Sequence, residues 1–376
     1  MIYPWSYKEE YIEIRKKILS SIDKTLMSGK IFFGNELKKF EKNFIKQNNL
    51  KFGLAVGSGT DAIQIALMAL GIKEKDEVIT VSNTAIPTAS AIKSCGAKIK
   101  FIDINHDYLI NVNKIEKYIS KKTKAIIPVH LYGNPCDMEK ICKIAKKHKL
   151  KIVEDCAQAQ GAKFKNKNVG TFGDAGCFSF YPTKILGGYG DGGFISSNSR
   201  SLTIKMKRIR FYGIEQNNKK NIFLNKYYSN EHGINSRISE LQSAILNLKL
   251  IRVNQSIKKR RLLANLYYSK LKNTSLKLPI ENKNNKHVYH LYVVYHPKRN
   301  LIIKKLNKNN IFVNINYPFP IHKMKGYKDS ISSKSSDLPI TEKISHGIFS
   351  LPLYPKLSTN KVIKITKVLK KILNTI

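Results

Sequence analysis

One lysine and one aspartate occupy positions from which they can hold a small ring between them. Lys184 precedes a glycine turn at Gly187 and Gly188, and Asp155 ends an apolar segment earlier in the chain. A lysine amine forms a Schiff base with an aldehyde, and a carboxylate opposite it keeps a pyridine nitrogen protonated, so that the ring withdraws electrons. The residue types and their order therefore predict a pyridoxal phosphate site with Lys184 and Asp155 as its catalytic groups.

A glycine turn before a predicted helix is a candidate phosphate site. Ser58, Gly59 and Thr60 follow an apolar segment, and Ile63 begins the buried stripe of a helix predicted over residues 61–70. Free backbone N–H groups at the helix start, together with the two hydroxyls, can bind an anion. A helix N-cap by Thr60 explains the same pattern equally well, because the glycine spacing matches only a loose form of the nucleotide-binding fingerprint.

Two further polar residues lie near the lysine and the aspartate in the chain. Gln158 follows Asp155 by three residues and can contact a ring oxygen, and Ser179 precedes Lys184 with a hydroxyl that can reach a phosphate. Phe180 and Tyr181, four and three residues before Lys184, can supply an environment that lowers the lysine pKa, and the attack on an aldehyde requires the uncharged amine. The glycine turn, Asp155, Ser179 and Lys184 follow one another in this order along the chain. Together they predict a pyridoxal phosphate site more specifically than any one of them does alone.

Short apolar segments alternate with helical patterns as far as residue 250, including a strand predicted over 125–132 and a helix over 237–250. Such alternation predicts an α/β fold with a mainly parallel sheet between layers of helices. Ligands of these sheets bind beyond the carboxyl ends of the strands, which is where Asp155 and the turn at Gly57 fall.

The pattern changes after residue 250. A long basic helix is predicted over 256–272, a strand over 290–295 and an amphipathic helix over 360–373. We therefore predict a large domain of residues 1–250 that includes the N-terminal helices, and a smaller α+β domain of residues 251–376.

The net charge of +41 is the most unusual property of the composition. It fits a nucleic acid, an anionic membrane surface or an anionic small substrate as the partner. The lysines are scattered along the whole chain with no basic tail, so a general drift in composition explains the charge best. Nucleic acid is therefore not favoured as a partner. After compositional drift, an anionic substrate is the next explanation for the charge.

The five cysteines are odd in number and show no disulfide framework, which favours a reducing compartment. Glu9 and Glu10 stand where a signal peptide would need an apolar core, and no apolar run is long enough to span a bilayer. A cytoplasmic protein without a membrane partner is expected. His130, Cys136 and Cys142 lack the spacing of a metal site, so buried thiols are favoured and no metal is predicted.

Long ordered segments of the chain resemble the nucleotide-sugar aminotransferases of the DegT/DnrJ type, within fold type I of the pyridoxal phosphate enzymes. The matching segments are FGNELKKFEKNF, GSGTDAIQIAL, HLYGNPCDM, VEDCAQAQGA, GDAGCFSFYPTKILGGYGDGG, GINSRISELQSAIL and YPFPIH. The resemblance implies the transfer of an amino group from L-glutamate to a keto-sugar attached to a nucleoside diphosphate. It further implies that Lys184 forms the Schiff base and moves the proton, and that Asp155 pairs with the pyridine nitrogen.

The resemblance also implies the remaining cofactor contacts. Gln158 is expected at the ring hydroxyl, and Gly59, Thr60 and Ser179 at the phosphate. Asn235 is expected to reach the phosphate bound by a neighbouring subunit, which makes the active unit a homodimer with shared active sites.

Two positions depart from the family pattern. Many relatives carry an aromatic residue at the position of Ala85, where it stacks on the cofactor ring, and a histidine at the position of Asn316. An alanine cannot stack, so another group must cover that face or the cofactor is held less tightly. Tyr181, Tyr317 and His322 are the candidate substrate contacts.

The motif around Lys184 resembles enzymes that aminate C-3 of dTDP-3-keto-6-deoxyhexoses. Relatives acting at C-4 more often carry histidine where Tyr181 stands, and glutamate in place of Asp191. Amination at C-4 and of a UDP-linked sugar remain the alternatives among enzymes. The alternative from another class is a non-catalytic, nucleic-acid-binding or regulatory protein on the same fold.

Overall fold

The computed structural model describes residues 1–215, 227–332 and 338–376. The helices of the described residues are α1 (Lys8–Met27), α2 (Asn35–Gln47), α3 (Gly59–Ala69), α4 (Ile86–Ser94), α5 (Met138–Lys147), α6 (Arg200–Ile209), α7 (Glu240–Leu250), α8 (Val253–Leu271), α9 (Arg299–Lys308), α10 (Pro339–Ser345) and α11 (Thr359–Leu373). The strands are β1 (Phe52–Val56), β2 (Glu77–Val81), β3 (Lys98–Ile102), β4 (Thr123–Ile126), β5 (Lys151–Asp155), β6 (Lys163–Phe164), β7 (Lys167–Asn168), β8 (Ala175–Ser179), β9 (Gly193–Ser197), β10 (Asn285–Lys286), β11 (Tyr292–Tyr295) and β12 (Ile348–Leu351).

The main sheet has seven strands in the order β1-β9-β8-β5-β4-β2-β3. Only β9 is antiparallel to its neighbours, and the other pairings are parallel. Asp155 at the end of β5 is level with Cys177 on β8, so β8 continues past it to Ser179 at the same edge. The predicted mainly parallel α/β sheet is confirmed.

Helices cover both faces of this sheet, and the strand residues alternate between them. Val78 and Ile99 pack into the core beneath α3 and α4, whereas Ile79 and Ile126 pack into the core beneath α5. This alternation follows from the pleat of a strand, which directs successive side chains to opposite faces. Strands buried on both faces read as nearly continuous apolar runs, a pattern that β2 follows, whereas β3 and β4 are interrupted by Lys100 and Lys124.

The C-terminal part is built around the two-stranded sheet β11–β12, against which α8, α9 and α11 pack. The N-terminal segment contributes Ile2 to this core and pairs there with Ile311. The predicted domain boundary at residue 250 falls at the short connection between α7 and α8, and it stays a prediction. In the described ranges, no helix is long and apolar enough to cross a membrane.

Candidate active site

A cavity of about 280 Å³ opens at the carboxyl edge of the main sheet. The predicted residues in its wall are Ser58, Gly59, Thr60, Asp155, Gln158, Ser179, Tyr181 and Lys184. Three other predicted residues, Asn235, Tyr317 and His322, lie outside this lining. The structure therefore brings the lysine, the aspartate and the glycine turn together around one space.

Lys184 lies in a tight turn after β8. Its backbone N–H donates to the Tyr181 carbonyl at 2.8 Å, and the Gly188 N–H donates to the Phe180 carbonyl at 2.8 Å. Burial lowers the pKa of the Lys184 amine to about 8, and the negative charge of Asp155 opposes this shift. Near neutral pH, a larger fraction of this amine is uncharged and nucleophilic than of a lysine in water.

Asp155 is only 6% exposed at the end of β5. One carboxylate oxygen accepts a hydrogen bond from the Thr88 hydroxyl at 2.8 Å, and the other accepts one from the Ala157 N–H at 3.0 Å. Both donors are neutral, so they orient the carboxylate without cancelling its charge. Thr88 was missed by the sequence reasoning, although its place on α4, just beyond the end of β2, puts it at the same edge of the sheet.

Helix α3 begins at Gly59, two residues earlier than predicted. The Ser58 hydroxyl accepts from the Asp61 N–H at 3.1 Å and so caps a helix that starts at Gly59. The alternative that Thr60 is the N-cap is wrong, because Thr60 already lies within the first helical turn. Ser58, Gly59 and Thr60 line the cavity together with Ser179, so this helix start lies at the place where an anion site is expected.

Gly59 brings the start of α3 against the end of β8. A Cβ atom at position 59 would lie 2.7 Å from the Cβ atom of Ser179. We expect Gly59→Ala to separate these two elements and to weaken pyridoxal phosphate binding about tenfold, as overpacking typically does. Titration of the apoprotein with the cofactor measures this. Gly326→Ala is the control, because its added methyl group meets no atom within 4 Å. Equal affinities for the two variants would contradict the expectation.

Gln158 connects the cavity wall to Tyr317. Its side-chain oxygen accepts from the Tyr132 N–H at 2.8 Å, and its amide nitrogen donates to the Tyr317 hydroxyl at 2.9 Å. Burial raises the pKa of Tyr317 to about 12, so this hydroxyl stays protonated at physiological pH. The ring contact of Gln158 and the substrate contact of Tyr317 stay predictions.

His322 uses both ring nitrogens within the chain. Its Nδ1 lies 2.8 Å from the Ser82 hydroxyl, and its Nε2 lies 2.8 Å from a carboxylate oxygen of Glu342. Asn316 is engaged as well, because its side-chain oxygen accepts from the Ser350 hydroxyl at 2.9 Å. These bonds tie the segment that carries Tyr317 to both parts of the fold, and the substrate contact of His322 stays a prediction.

Asn235 is exposed at the surface. Its side-chain oxygen accepts from the Arg237 Nε–H at 2.9 Å, and the Arg237 guanidinium lies 4.8 Å from the centre of the Phe32 ring. An exposed asparagine outside the cavity of its own chain is available to a second subunit. Its phosphate contact stays a prediction.

Ala85 lies in the cavity wall beside Pro87, just before α4. We expect Ala85→Phe to supply a stacking surface and to tighten cofactor binding about threefold or more. Ile86→Phe is a matched control, since Ile86 is 45% exposed and is not among the lining residues. Cofactor titration distinguishes the two variants. Unchanged affinity in Ala85→Phe would mean that position 85 does not face the ring.

The buried His130 is part of a hydrogen-bonded cluster. Its Nε2 lies 3.1 Å from Glu154, and its Nδ1 accepts from the Cys136 N–H at 3.0 Å. Glu154 also accepts from three backbone N–H groups, those of Gly170, Phe172 and Gly173. Cys156 lies close to both side chains, but their lone pairs are used by these bonds. The cluster supports the turn between β5 and β8.

The seven-stranded sheet and the cavity that holds Lys184 and Asp155 define an aminotransferase fold of the pyridoxal phosphate enzymes. The chain belongs to the DegT/DnrJ/EryC1/StrS aminotransferase family, whose model matches residues 12–370. It is 40% identical over 361 residues to a dTDP-3-amino-3,4,6-trideoxy-alpha-D-glucose transaminase of Micromonospora megalomicea subsp. nigra, with 94% of each chain covered.

A second relative is a UDP-N-acetyl-3-dehydro-alpha-D-glucosamine 3-aminotransferase of Acidithiobacillus ferrooxidans, 34% identical over 368 residues that cover 98% of this chain and 96% of that protein. The solved structure of NtdA from Bacillus subtilis, with the bound cofactor PMP, matches with a TM-score of 0.88 and 30% identity. That match covers 96% of this chain and 82% of NtdA. The predictions of a nucleotide-sugar aminotransferase and of a pyridoxal phosphate cofactor are confirmed at the level of the family.

Proposed function

We propose that the chain transfers the amino group of L-glutamate to C-3 of a dTDP-linked 3-keto-6-deoxyhexose. The observation that carries the proposal is the shared cavity of Lys184, Asp155 and the glycine turn at Gly59. A buried amine with a lowered pKa, an oriented carboxylate and a helix start are the three groups that a phosphorylated pyridine aldehyde needs.

The residues present fit pyridoxal phosphate. Gly59 and Thr60 in the first turn of α3 line the cavity together with Ser179, and the N–H groups of a helix start can bind a phosphate. Pyridoxal phosphate, when bound, supplies an electron sink for the carbon that carries the amino group. Asp155 would keep a proton on the ring nitrogen, and Gln158 would contact the ring oxygen. The Lys184 amine would accept the proton from the glutamate carbon that carries the amino group, and in the second half of the cycle it would return a proton to the sugar carbon that receives the amino group.

The active unit of this proposal is a homodimer. This part of the proposal is supported by Asn235, which is exposed and lies outside the cavity lining of its own chain, so that its side chain is available to the phosphate site of a second copy. Because a residue of one subunit would contact the cofactor bound by the other, cofactor binding would stabilise the dimer.

Support for C-3 comes from the chain and from its relatives. Tyr181 lines the cavity where C-4 enzymes more often carry histidine, and Asp191 lines it in place of a glutamate. The names of both relatives refer to position 3 of the sugar. The second candidate is amination of a UDP-linked sugar, which the relative from Acidithiobacillus favours.

The deciding experiment offers the enzyme and glutamate a panel of dTDP- and UDP-linked 3-keto and 4-keto sugars. The new amine is located by NMR. A product aminated at C-3 of a dTDP sugar supports the proposal, and a C-4 amine or a strict UDP preference contradicts it. Duplex DNA binding with a steep salt dependence, without consumption of glutamate, would instead support the nucleic-acid-binding alternative.

A further inference from the structure

A cavity of about 760 Å³ lies between α8 and a small three-stranded sheet of β10, β6 and β7. One wall is formed by α8 residues within 254–265, and another by Lys163, Asn168 and Lys286 of the small sheet. None of the described residues in its wall lines the cavity that holds Lys184 and Asp155. It is therefore a separate space, and its volume falls within the range of small-molecule binding sites.

The wall of this cavity is cationic, and its described part contains no aspartate or glutamate. The cations of the wall are Lys163, Lys258, Arg261 and Lys286. Arg261 has an acidic partner outside the wall, because its guanidinium lies 2.6 Å from a carboxylate oxygen of Glu281. Across the described ranges, the lysines of the wall form no ion pair. Their charge stays unbalanced, which favours an anionic ligand.

The cations of this wall stand in two pairs of like charge. Lys163 on β6 is directly opposite Lys286 on β10 in antiparallel register. Lys258 and Arg261 are three residues apart on α8 and so lie on the same face of the helix. Like charges in either arrangement repel and destabilise the fold. An anion bound between the two pairs would remove this cost.

The pKa of Lys286 reflects this crowding of charge. Partial desolvation lowers the pKa of its amine, and the neighbouring cations of the wall lower it further. The geometry that crowds them is set by Gly161, which has a φ of +79° and lies in the same wall. A Cβ atom at Gly161 would lie 2.5 Å from the Ile257 Cδ1 atom, so the chain before β6 packs directly on α8. Both pairs of cations are thereby held around one space.

We propose that this cavity is an anion site that binds a small molecule with two or more phosphate groups, held by Lys163 and Lys286 on one side and by Lys258 on the other. Ammonium groups donate strong charge-assisted hydrogen bonds to phosphate oxygens. Several cations around one space need more than one negative charge to balance them. A small molecule is favoured over a nucleic acid because the cations line a concave space, whereas a duplex needs a basic track along the surface. The site lies apart from the reacting groups and goes beyond the proposed aminotransferase function.

The test measures the Kd of inorganic pyrophosphate by calorimetry, on the enzyme loaded with pyridoxal phosphate so that the cofactor phosphate site is filled. Lys163→Gln and Lys286→Gln are each expected to weaken binding about tenfold or more, because each removes a charge-assisted hydrogen bond. Lys283→Gln is the matched control, since Lys283 is an exposed lysine just before β10 and is not among the wall residues. It is expected to bind pyrophosphate as the wild type does. Orthophosphate is expected to bind the wild type about tenfold more weakly than pyrophosphate.

Thermal unfolding of the same variants separates a ligand site from a structural role. Without an anion, Lys286→Gln is expected to raise Tm by about one degree, because it removes the like charge opposite Lys163. With saturating pyrophosphate, Tm is expected to rise more in the wild type than in this variant, because the ligand stabilises the state that binds it.

Pyrophosphate affinity that is unchanged in both Lys163→Gln and Lys286→Gln overturns the assignment. A lower Tm of anion-free Lys286→Gln also contradicts it, because the lysine would then stabilise the fold by itself. Orthophosphate that binds as tightly as pyrophosphate would overturn the requirement for two phosphate groups. Duplex DNA that binds the wild type and is lost in both variants, without binding of pyrophosphate, would replace the small anion with a nucleic acid.

Discussion

Lys184→Ala is expected to lower turnover by at least about a thousandfold, because it removes both the covalent partner of the cofactor and the proton carrier. Lys184 lies in the cavity wall, and burial of its amine lowers the pKa to about 8. The same change should abolish the absorption band that the wild type gains on addition of pyridoxal phosphate. Spectra and steady-state rates measured on the same preparations check both expectations.

The control for this variant is Lys207→Ala on α6, an exposed lysine outside the cavity wall. Its spectrum and rate should match those of the wild type. Borohydride reduction followed by peptide mass analysis adds a direct assignment, since the cofactor mass should appear only on the peptide that contains Lys184. A reduced cofactor on another lysine, or a full rate in Lys184→Ala, would remove this residue from the mechanism.

The local sequence pattern was sufficient to predict the sheet and the site at its edge. The apolar pair Ile152 and Val153 covers both faces of β5 and is followed by two acidic residues, so Asp155 was expected at the carboxyl end of a strand. Strand ends were less predictable. The strand predicted over 125–132 ends at Ile126, because Pro128 has no N–H to continue the ladder and the chain instead bridges to Asp155 only at Val129.

Contacts between distant parts of the chain could not be predicted. Ser82 and His322 are 240 positions apart, and neither residue type identifies the other as its partner. The hydroxyl that orients Asp155 belongs to Thr88, which also serves as an ordinary residue in the first turn of α4. The excess of positive charge was visible in the composition, but only the fold gathers part of it around the cavity between α8 and the small sheet.

Asp155→Asn is expected to lower turnover by about a thousandfold while preserving the fold. The asparagine keeps the shape of the side chain and one oxygen to accept the Ala157 N–H, but it loses the charge that holds a proton on the ring nitrogen. Without that proton the ring is a poor electron sink, and the half-reaction with glutamate should slow as much as the full cycle. Single-turnover absorbance with glutamate measures this step directly.

Asp174→Asn is the matched control for this change. Asp174 also receives a backbone hydrogen bond from the main sheet, at Ile152, but it lies outside the cavity wall. Both variants therefore lose one carboxylate at β5. Only Asp155→Asn loses a carboxylate in the cavity wall, where the cofactor ring is expected. Cofactor binding that survives in Asp155→Asn while glutamate turnover collapses would separate the electronic role of the carboxylate from a purely structural one. A near-normal rate in Asp155→Asn would show that another group protonates the ring.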